Sequence, residues 1–199
     1  MTMILYNSQT SGNCYKVRLL FAHLGIEYKK HAVDVFERHG RREILGDLNP
    51  GLRVPTLVLD DGRPLAESNA ILWYFAEGTD YLPEDRYERA QVLQWCCFEQ
   101  YSHEPYIAVA RFWFHAGISP SAEEMEAKLR GGKAALEAME RHLTDHKYFV
   151  ADHYTISDIA LYAYTHVAPE GRFDLHPYPA VRAWLERVAA QPGHIAITD

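Results

Sequence analysis

The pattern of apolar and polar positions changes character once along the chain. In the first part, short apolar runs alternate with helical spacings. Ile4-Leu5-Tyr6 reads as a short buried strand, and Val17, Leu20, Phe21 and Leu24 follow at helical spacing before Gly25, a natural stop. Tyr28 to Val35 predicts a second strand, and Arg38 to Leu48 a weak helix that ends at Asn49-Pro50. Thr56 to Leu59 and Arg63 to Leu65 flank Asp60-Asp61-Gly62, which reads as a hairpin turn. Ile71, Leu72 and Phe75 give the next helix one apolar stripe. The order β-α-β-α-β-β-α makes a small α/β unit.

Past Gly78-Thr79-Asp80-Tyr81-Leu82-Pro83 only helical patterns remain. Residues 85 to 116 predict a long helix, bent at Pro105, and Ser121 to Leu143 another. The third, 155 to 167, has the fullest start signal. Thr155 is an N-cap, Asp158 completes a capping box, and Tyr154 and Ile159 are placed for a hydrophobic staple. Val181, Trp184, Leu185 and Val188 stripe a last helix. The expected division is 1–78 as the α/β domain, 79–86 as linker and 87–199 as an all-helical domain.

Composition narrows the function classes. The chain has 199 residues, 48% of them hydrophobic, and a formal net charge of -7. An acidic chain is poorly suited to nucleic acid or an anionic membrane surface. Three cysteines, two of them adjacent, form no disulfide framework, which points to a reducing cytoplasm. The N-terminus lacks a basic n-region and a long apolar run, so no signal peptide is expected. His142 and His146 stand four apart on a helix, but no third ligand has suitable spacing, so no metal site is expected.

The candidate chemistry lies at two places in the α/β part. Ser11-Gly12-Asn13-Cys14 joins the first strand to the first helix, where backbone N–H groups and the helix dipole favour an anion. A serine hydroxyl there can donate to a thiolate and lower its pKa, or simply cap the helix. Val54-Pro55-Thr56-Leu57 is the second place. Proline lacks the N–H a central strand needs, so it fits just before an edge strand, as a cis peptide that turns backbone groups outward. Glu67-Ser68, at the head of the third helix, can hold an amino acid's ammonium and carboxylate. A buried Glu67 without a partner would be costly, which favours a ligand role over a structural one. Together these segments read as a site for a peptide-like ligand.

These residues, with Tyr15-Lys16-Val17-Arg18, Asn49-Pro50, Asn69-Ala70-Ile71-Leu72 and Thr155-Ile156-Ser157-Asp158-Ile159-Ala160, resemble the cytosolic glutathione transferase superfamily over nearly the whole chain. The resemblance implies a thioredoxin-like domain followed by a helical domain, a homodimer, a cytoplasmic place and a role in detoxification. It implies glutathione as co-substrate, bound by Arg53, Val54, Pro55, Glu67 and Ser68. Ser11 and Asn13 are then the catalytic pair, and Glu99 reaches the glutathione ammonium of the other subunit. Tyr106 and Phe112 line a pocket for a hydrophobic electrophile. Tyr6 is one residue short of the activating position of tyrosine-type members, which falls on Asn7, so the spacing resembles the serine and cysteine types. Ser11-x-Asn13 also resembles the Thr-x-Asn pair of disulfide-reducing relatives, so a glutathione-dependent disulfide oxidoreductase is the first alternative. A non-catalytic binding protein is the second. The zeta-like isomerases carry Ser-Ser-Cys where this chain has Ser11-Gly12-Asn13. Cys14 is the rival nucleophile, read here as a core residue, and Cys96 and Cys97 read as packing.

Overall fold

The computed structural model describes residues 2–37 and 40–199. The chain divides into two compact units, Met1–Glu77 together with Pro192–Asp199, and Gly78–Gln191.

In the first unit, β1 (Ile4–Asn7), α1 (Gly12–Leu24) and β2 (Lys29–Ala32) form a parallel β-α-β crossover. After α2 (Arg41–Leu45), β3 (Thr56–Val58) and β4 (Pro64–Ala66) form a hairpin that leads into α3 (Ser68–Ala76). The sheet order is β2-β1-β3-β4, with β3 antiparallel to both neighbours. This is the thioredoxin-like arrangement. Two expectations change. The helix foreseen from 38 to 48 is short, and its first two positions lie outside the described residues. Strand β3 is interior, not an edge. Pro55 is tolerated beside it because it precedes the first ladder residue, Thr56, so its missing N–H removes no sheet bond.

Leu5, Val17, Phe21, Leu57, Leu59 and Ile71 form the core of this unit. Helix α1 is buried from Tyr15 to Phe21, including Lys16 and Arg18. It stops at Gly25, whose φ of 64° lets its N–H turn back to the carbonyls of Phe21 and Ala22. Arg18 is held by Asn7 Oδ1 at 2.6 Å and by the carbonyls of Gln9 at 3.0 Å and Ile197 at 2.6 Å. Tyr15 donates to the Ile195 carbonyl at 2.7 Å. These bonds explain why the last eight residues group with the α/β unit, where the sequence placed them with the helices.

The second unit holds α4 (Arg86–Phe98), α5 (Glu104–His115), α6 (Ala122–Leu143), α7 (Ile156–Thr165) and α8 (Pro179–Ala189). The long helix expected over 85–116 is interrupted by a π-helical turn at Glu99–His103, closed by the Glu104 N–H reaching back five residues to Glu99. Pro105 has no N–H for the Tyr101 carbonyl and its ring crowds that carbonyl, so the turn before it widens. Helices α5 and α6 cross closely. A Cβ on Gly131 would lie 2.3 Å from the Tyr106 ring of α5, and one on Gly132 3.2 Å from Ile107 of α5 and 2.2 Å from Phe173, which follows α7 in the chain. Helix α7 starts with the capping box Thr155–Asp158. The Asp158 carboxylate also accepts from Phe149 N at 3.3 Å and Trp184 Nε1 at 2.9 Å, tying α7 to α8. Helix α8 lacks a side-chain cap of its own. Glu140 of α6 supplies one, accepting from Ala180 N at 3.0 Å and Val181 N at 2.9 Å.

Candidate functional site

Ser11 is the N-cap of α1, and its Oγ accepts from Cys14 N at 3.3 Å. Capping occupies a lone pair and leaves the O–H proton to donate. The capping role and the thiolate-stabilising role are therefore compatible at this residue. Cys14 is wholly buried, and its Sγ accepts from Ser8 N at 3.3 Å. Burial pushes its thiol pKa up, against the lowering effects of the Ser8 N–H, the Ser11 hydroxyl and the Arg18 charge. An unexposed thiol with a raised pKa is a core group, as the sequence reading had it.

Ser68, buried at the start of α3, donates to Asn13 Oδ1 at 3.1 Å. This bond brings the Ser11–Asn13 segment and the Glu67–Ser68 segment together. The sheet brings in the third segment. Thr56 pairs with Ala66 at the end of the β3–β4 ladder, so the Val54–Pro55 turn, which precedes Thr56, and Glu67-Ser68, which follows Ala66, leave the sheet at the same end. The Val54–Pro55 peptide is cis. Asn49 braces this turn, donating from Nδ2 to the Arg53 carbonyl and to Thr56 Oγ1, each at 3.0 Å, while Oδ1 accepts from Gly51 N at 2.8 Å. The sequence marked Asn49 only as part of a motif; its bracing role needs the loop geometry. The Arg53 side chain is exposed.

Glu67 corrects the sequence argument. It is exposed, so the cost of burying an acid does not apply to it. Its signal is the backbone: φ is 68° in a residue with a side chain. Such a conformation costs on the order of 1–3 kcal/mol and is typical of ligand-holding turns. A residue the sequence reading missed is Lys16, fully buried on α1, with Nζ 3.5 Å from Ser68 Oγ. Its three-residue spacing from Asn13 places both on one helix face, which was the available signal.

The residues assigned in the helical unit are not brought together. Glu99 is fully buried and accepts from Gln100 Nε2 at 2.7 Å. In the protomer this side chain is closed to solvent, so it does not line an open surface. Its neighbour His103 is buried against Thr165 Oγ1 at 2.9 Å. Thr165 donates its own proton to the Leu161 carbonyl at 2.7 Å, so His103 Nε2 is the donor. Tyr106 lies across Gly131, with Lys128 Nζ 5.7 Å from its ring centre. Phe112 is 37% exposed. Six residues apart on a helix, Tyr106 and Phe112 point about 120° apart. A cavity of about 700 Å³ in this unit is lined instead by Phe114, Ile118, Pro120, Met125, Leu129 and Arg172, among others. Among the described residues no cluster suited to a metal occurs, and no helix is long and apolar enough to cross a membrane.

A thioredoxin-like unit with a cis-proline turn, followed by a helical unit, is the two-part architecture of the glutathione transferase fold. Comparison with known proteins gives the same class. Residues 10–77 match the glutathione S-transferase N-terminal domain, and residues 95–192 match the C-terminal domain. The chain belongs to the glutathione S-transferase family.

Among its relatives is glutathione S-transferase D7 of Anopheles gambiae, 34% identical over 94% of this chain and 86% of that protein. Disulfide-bond oxidoreductase YfcG of Escherichia coli is 27% identical over 90% of this chain and 87% of that protein. A crystal structure of a glutathione S-transferase from Pseudomonas fluorescens superposes with a TM-score of 0.96 at 46% identity, covering 100% of both chains.

Proposed function

We propose that the protein is a glutathione-dependent transferase of the serine type. The tripeptide lies along the Val54–Pro55 turn and the start of α3. Val54 pairs its backbone with the cysteinyl part, and Glu67 and Ser68 take the γ-glutamyl end. Arg53, exposed beside the turn, meets the glycyl carboxylate. Ser11 donates its hydroxyl proton to the sulfur, with Asn13 beside it. The thiol proton leaves to solvent. The thiolate then attacks an electrophilic carbon, forming a carbon–sulfur bond as the leaving group departs. Phe112 is the exposed aromatic proposed to meet a hydrophobic electrophile; the packed Tyr106 is not carried into the proposal. Leu93 and Tyr101, 52% and 85% exposed on the outside of α4 and the π turn, support assembly as a homodimer. The charge and cysteine content support a cytoplasmic place.

The observation that carries this reading is the Ser11 cap, which leaves a donor at a helix N-terminus two residues before Asn13, the residue that accepts from Ser68. The test is conjugation of glutathione to 1-chloro-2,4-dinitrobenzene by wild type and Ser11→Ala. Turnover that falls at least tenfold in the variant, with glutathione still bound, supports the reading. Equal turnover removes Ser11 from the mechanism.

A second reading has its own observation. The Ser11-x-Asn13 pair and the 27% identity to a disulfide-bond oxidoreductase favour glutathione-dependent disulfide reduction. Two glutathione thiols would supply both electrons and both protons, leaving oxidised glutathione and two substrate thiols. Faster turnover of a small disulfide than of any electrophile tested would select it.

A further inference from the structure

Arg18 is a buried cation, 1% exposed, yet the groups that hold it carry no charge. Nη1 donates to the Asn7 amide oxygen at 2.6 Å, and Nη2 donates to the carbonyls of Gln9 at 3.0 Å and Ile197 at 2.6 Å. A guanidinium only donates and these oxygens only accept, so the direction of each bond is fixed. An apolar side chain at position 18 would fill the core without the cost of burying a charge. What arginine adds is a tie among three segments: Asn7 at the end of β1, the loop 8–11 that leads into α1, and residues 192–199.

The loop ends at Ser11. Ser11 N donates to the Ser8 carbonyl at 3.1 Å and Ser8 N to Cys14 Sγ at 3.3 Å, bonds that hold Ser8 and Ser11 but not Gln9 between them. Gln9 is held by the segment 192–199 instead. Its carbonyl shares Arg18 with that of Ile197, and its Nε2 donates to the Asp199 carbonyl, which also accepts from Lys30 Nζ at 3.1 Å. Tyr15, three residues before Arg18 on the same helix, donates to the Ile195 carbonyl at 2.7 Å. We infer that Arg18 is a positioning residue of the reaction. It fastens the Gln9 carbonyl, two residues before Ser11, to residues 192–199, and so holds the Ser11 hydroxyl where the glutathione sulfur lies, without itself touching the ligand. The inference rests on the glutathione reading above and adds to it a strap drawn from the far end of the sequence.

The test is ultraviolet titration of the glutathione thiol bound to wild type, Arg18→Lys, Ser11→Ala and the Arg18→Lys/Ser11→Ala double variant, with affinity from calorimetry. Arg18→Lys keeps the charge but replaces the planar fork by a single nitrogen, so it separates the tie from the field of the cation. It should raise the bound-thiol pKa by about half a unit, roughly a threefold loss of thiolate at a pH below that pKa. Glutathione affinity should hold, because Val54, Glu67 and Ser68 carry it. Adding Arg18→Lys to Ser11→Ala should shift the pKa no further, which a merely stabilising role for Arg18 does not require. An Arg18→Lys pKa equal to wild type with glutathione still bound, or a shift that adds in full to that of Ser11→Ala, overturns the inference. Should Arg18→Lys not fold, Gln9→Ala cuts the exposed bond from the loop to the Asp199 carbonyl and leaves the core intact. The pKa should rise there too, and an unchanged value overturns the strap. A wild type that binds no glutathione, or leaves its thiol pKa as in free solution, refutes the transferase reading and the inference with it.

Discussion

Asp158→Ala is the perturbation for which the structure gives the firmest magnitude. The carboxylate accepts from Thr155 N at 3.0 Å, Phe149 N at 3.3 Å and Trp184 Nε1 at 2.9 Å, all inside the helical unit. Alanine leaves three buried N–H donors unmade, each costing about 1–3 kcal/mol, offset in part by the removal of a desolvated charge. The expected loss at pH 7 is about 3 kcal/mol, which lowers a urea midpoint by about 1 M.

The loss should depend on pH. Burial raises the Asp158 pKa to about 6, against the hydrogen bonds from Thr155, Trp184 and Phe149. A folded value above the unfolded one means that the folded protein binds the extra proton. The group's stabilising contribution is full below the unfolded pKa and falls as pH rises through about 6. The gap between wild type and Asp158→Ala should therefore be about 2 kcal/mol larger at pH 4.5 than at pH 7. Urea unfolding followed by tryptophan fluorescence at the two pH values measures both quantities. A gap under about 1 kcal/mol at pH 7 would refute the hydrogen-bond reasoning. A gap that is smaller at pH 4.5 than at pH 7 would refute the burial reasoning.

Further expectations follow from the packing and the site. Glu140→Ala removes the carboxylate that caps α8 and should cost about 1–2 kcal/mol in the same unfolding assay, while Glu137→Ala on the same helix serves as its control. Gly132→Ala drives a Cβ into the Phe173 ring and should lower stability by about 1–3 kcal/mol; a neutral result would mean that the Phe173 ring can move aside at no cost. Cys14→Ala should retain conjugation turnover per folded molecule, because a wholly buried thiol with a raised pKa is not the nucleophile; loss of turnover with normal glutathione binding would restore Cys14 as a rival.

Much of the fold was legible because its signals are local. The helical spacing of Val17, Leu20, Phe21 and Leu24, the stop at Gly25 and the Thr155–Asp158 box are written in neighbouring residues, and the structure carries each of them. The switch from mixed to helical patterns at Gly78 is equally local, as is the Ser11 cap. The illegible parts depend on contacts far apart in sequence. Arg18 and Lys16 look like solvated charges on a helix; their burial follows from Ile197, almost 180 residues away, and from Ser68. The four residues of β2 are all exposed, so no apolar alternation marked its limits. Glu67 was singled out correctly as unusual but for the wrong reason, since sequence reveals the acid and not the backbone angle. Tyr106 and Phe112 were grouped by their aromaticity, which says nothing of the direction each takes from the helix.

The central claim is that Ser11 stabilises the thiolate of bound glutathione. Its most direct test is ultraviolet titration of the thiol on the wild type and on Ser11→Ala. A free thiol has a pKa of about 8.5, and the account predicts a wild-type value about two units lower, equivalent to roughly 2.7 kcal/mol. In Ser11→Ala the value should return most of the way to that of the free thiol while glutathione stays bound. A variant whose bound thiol keeps the wild-type pKa would contradict the claim.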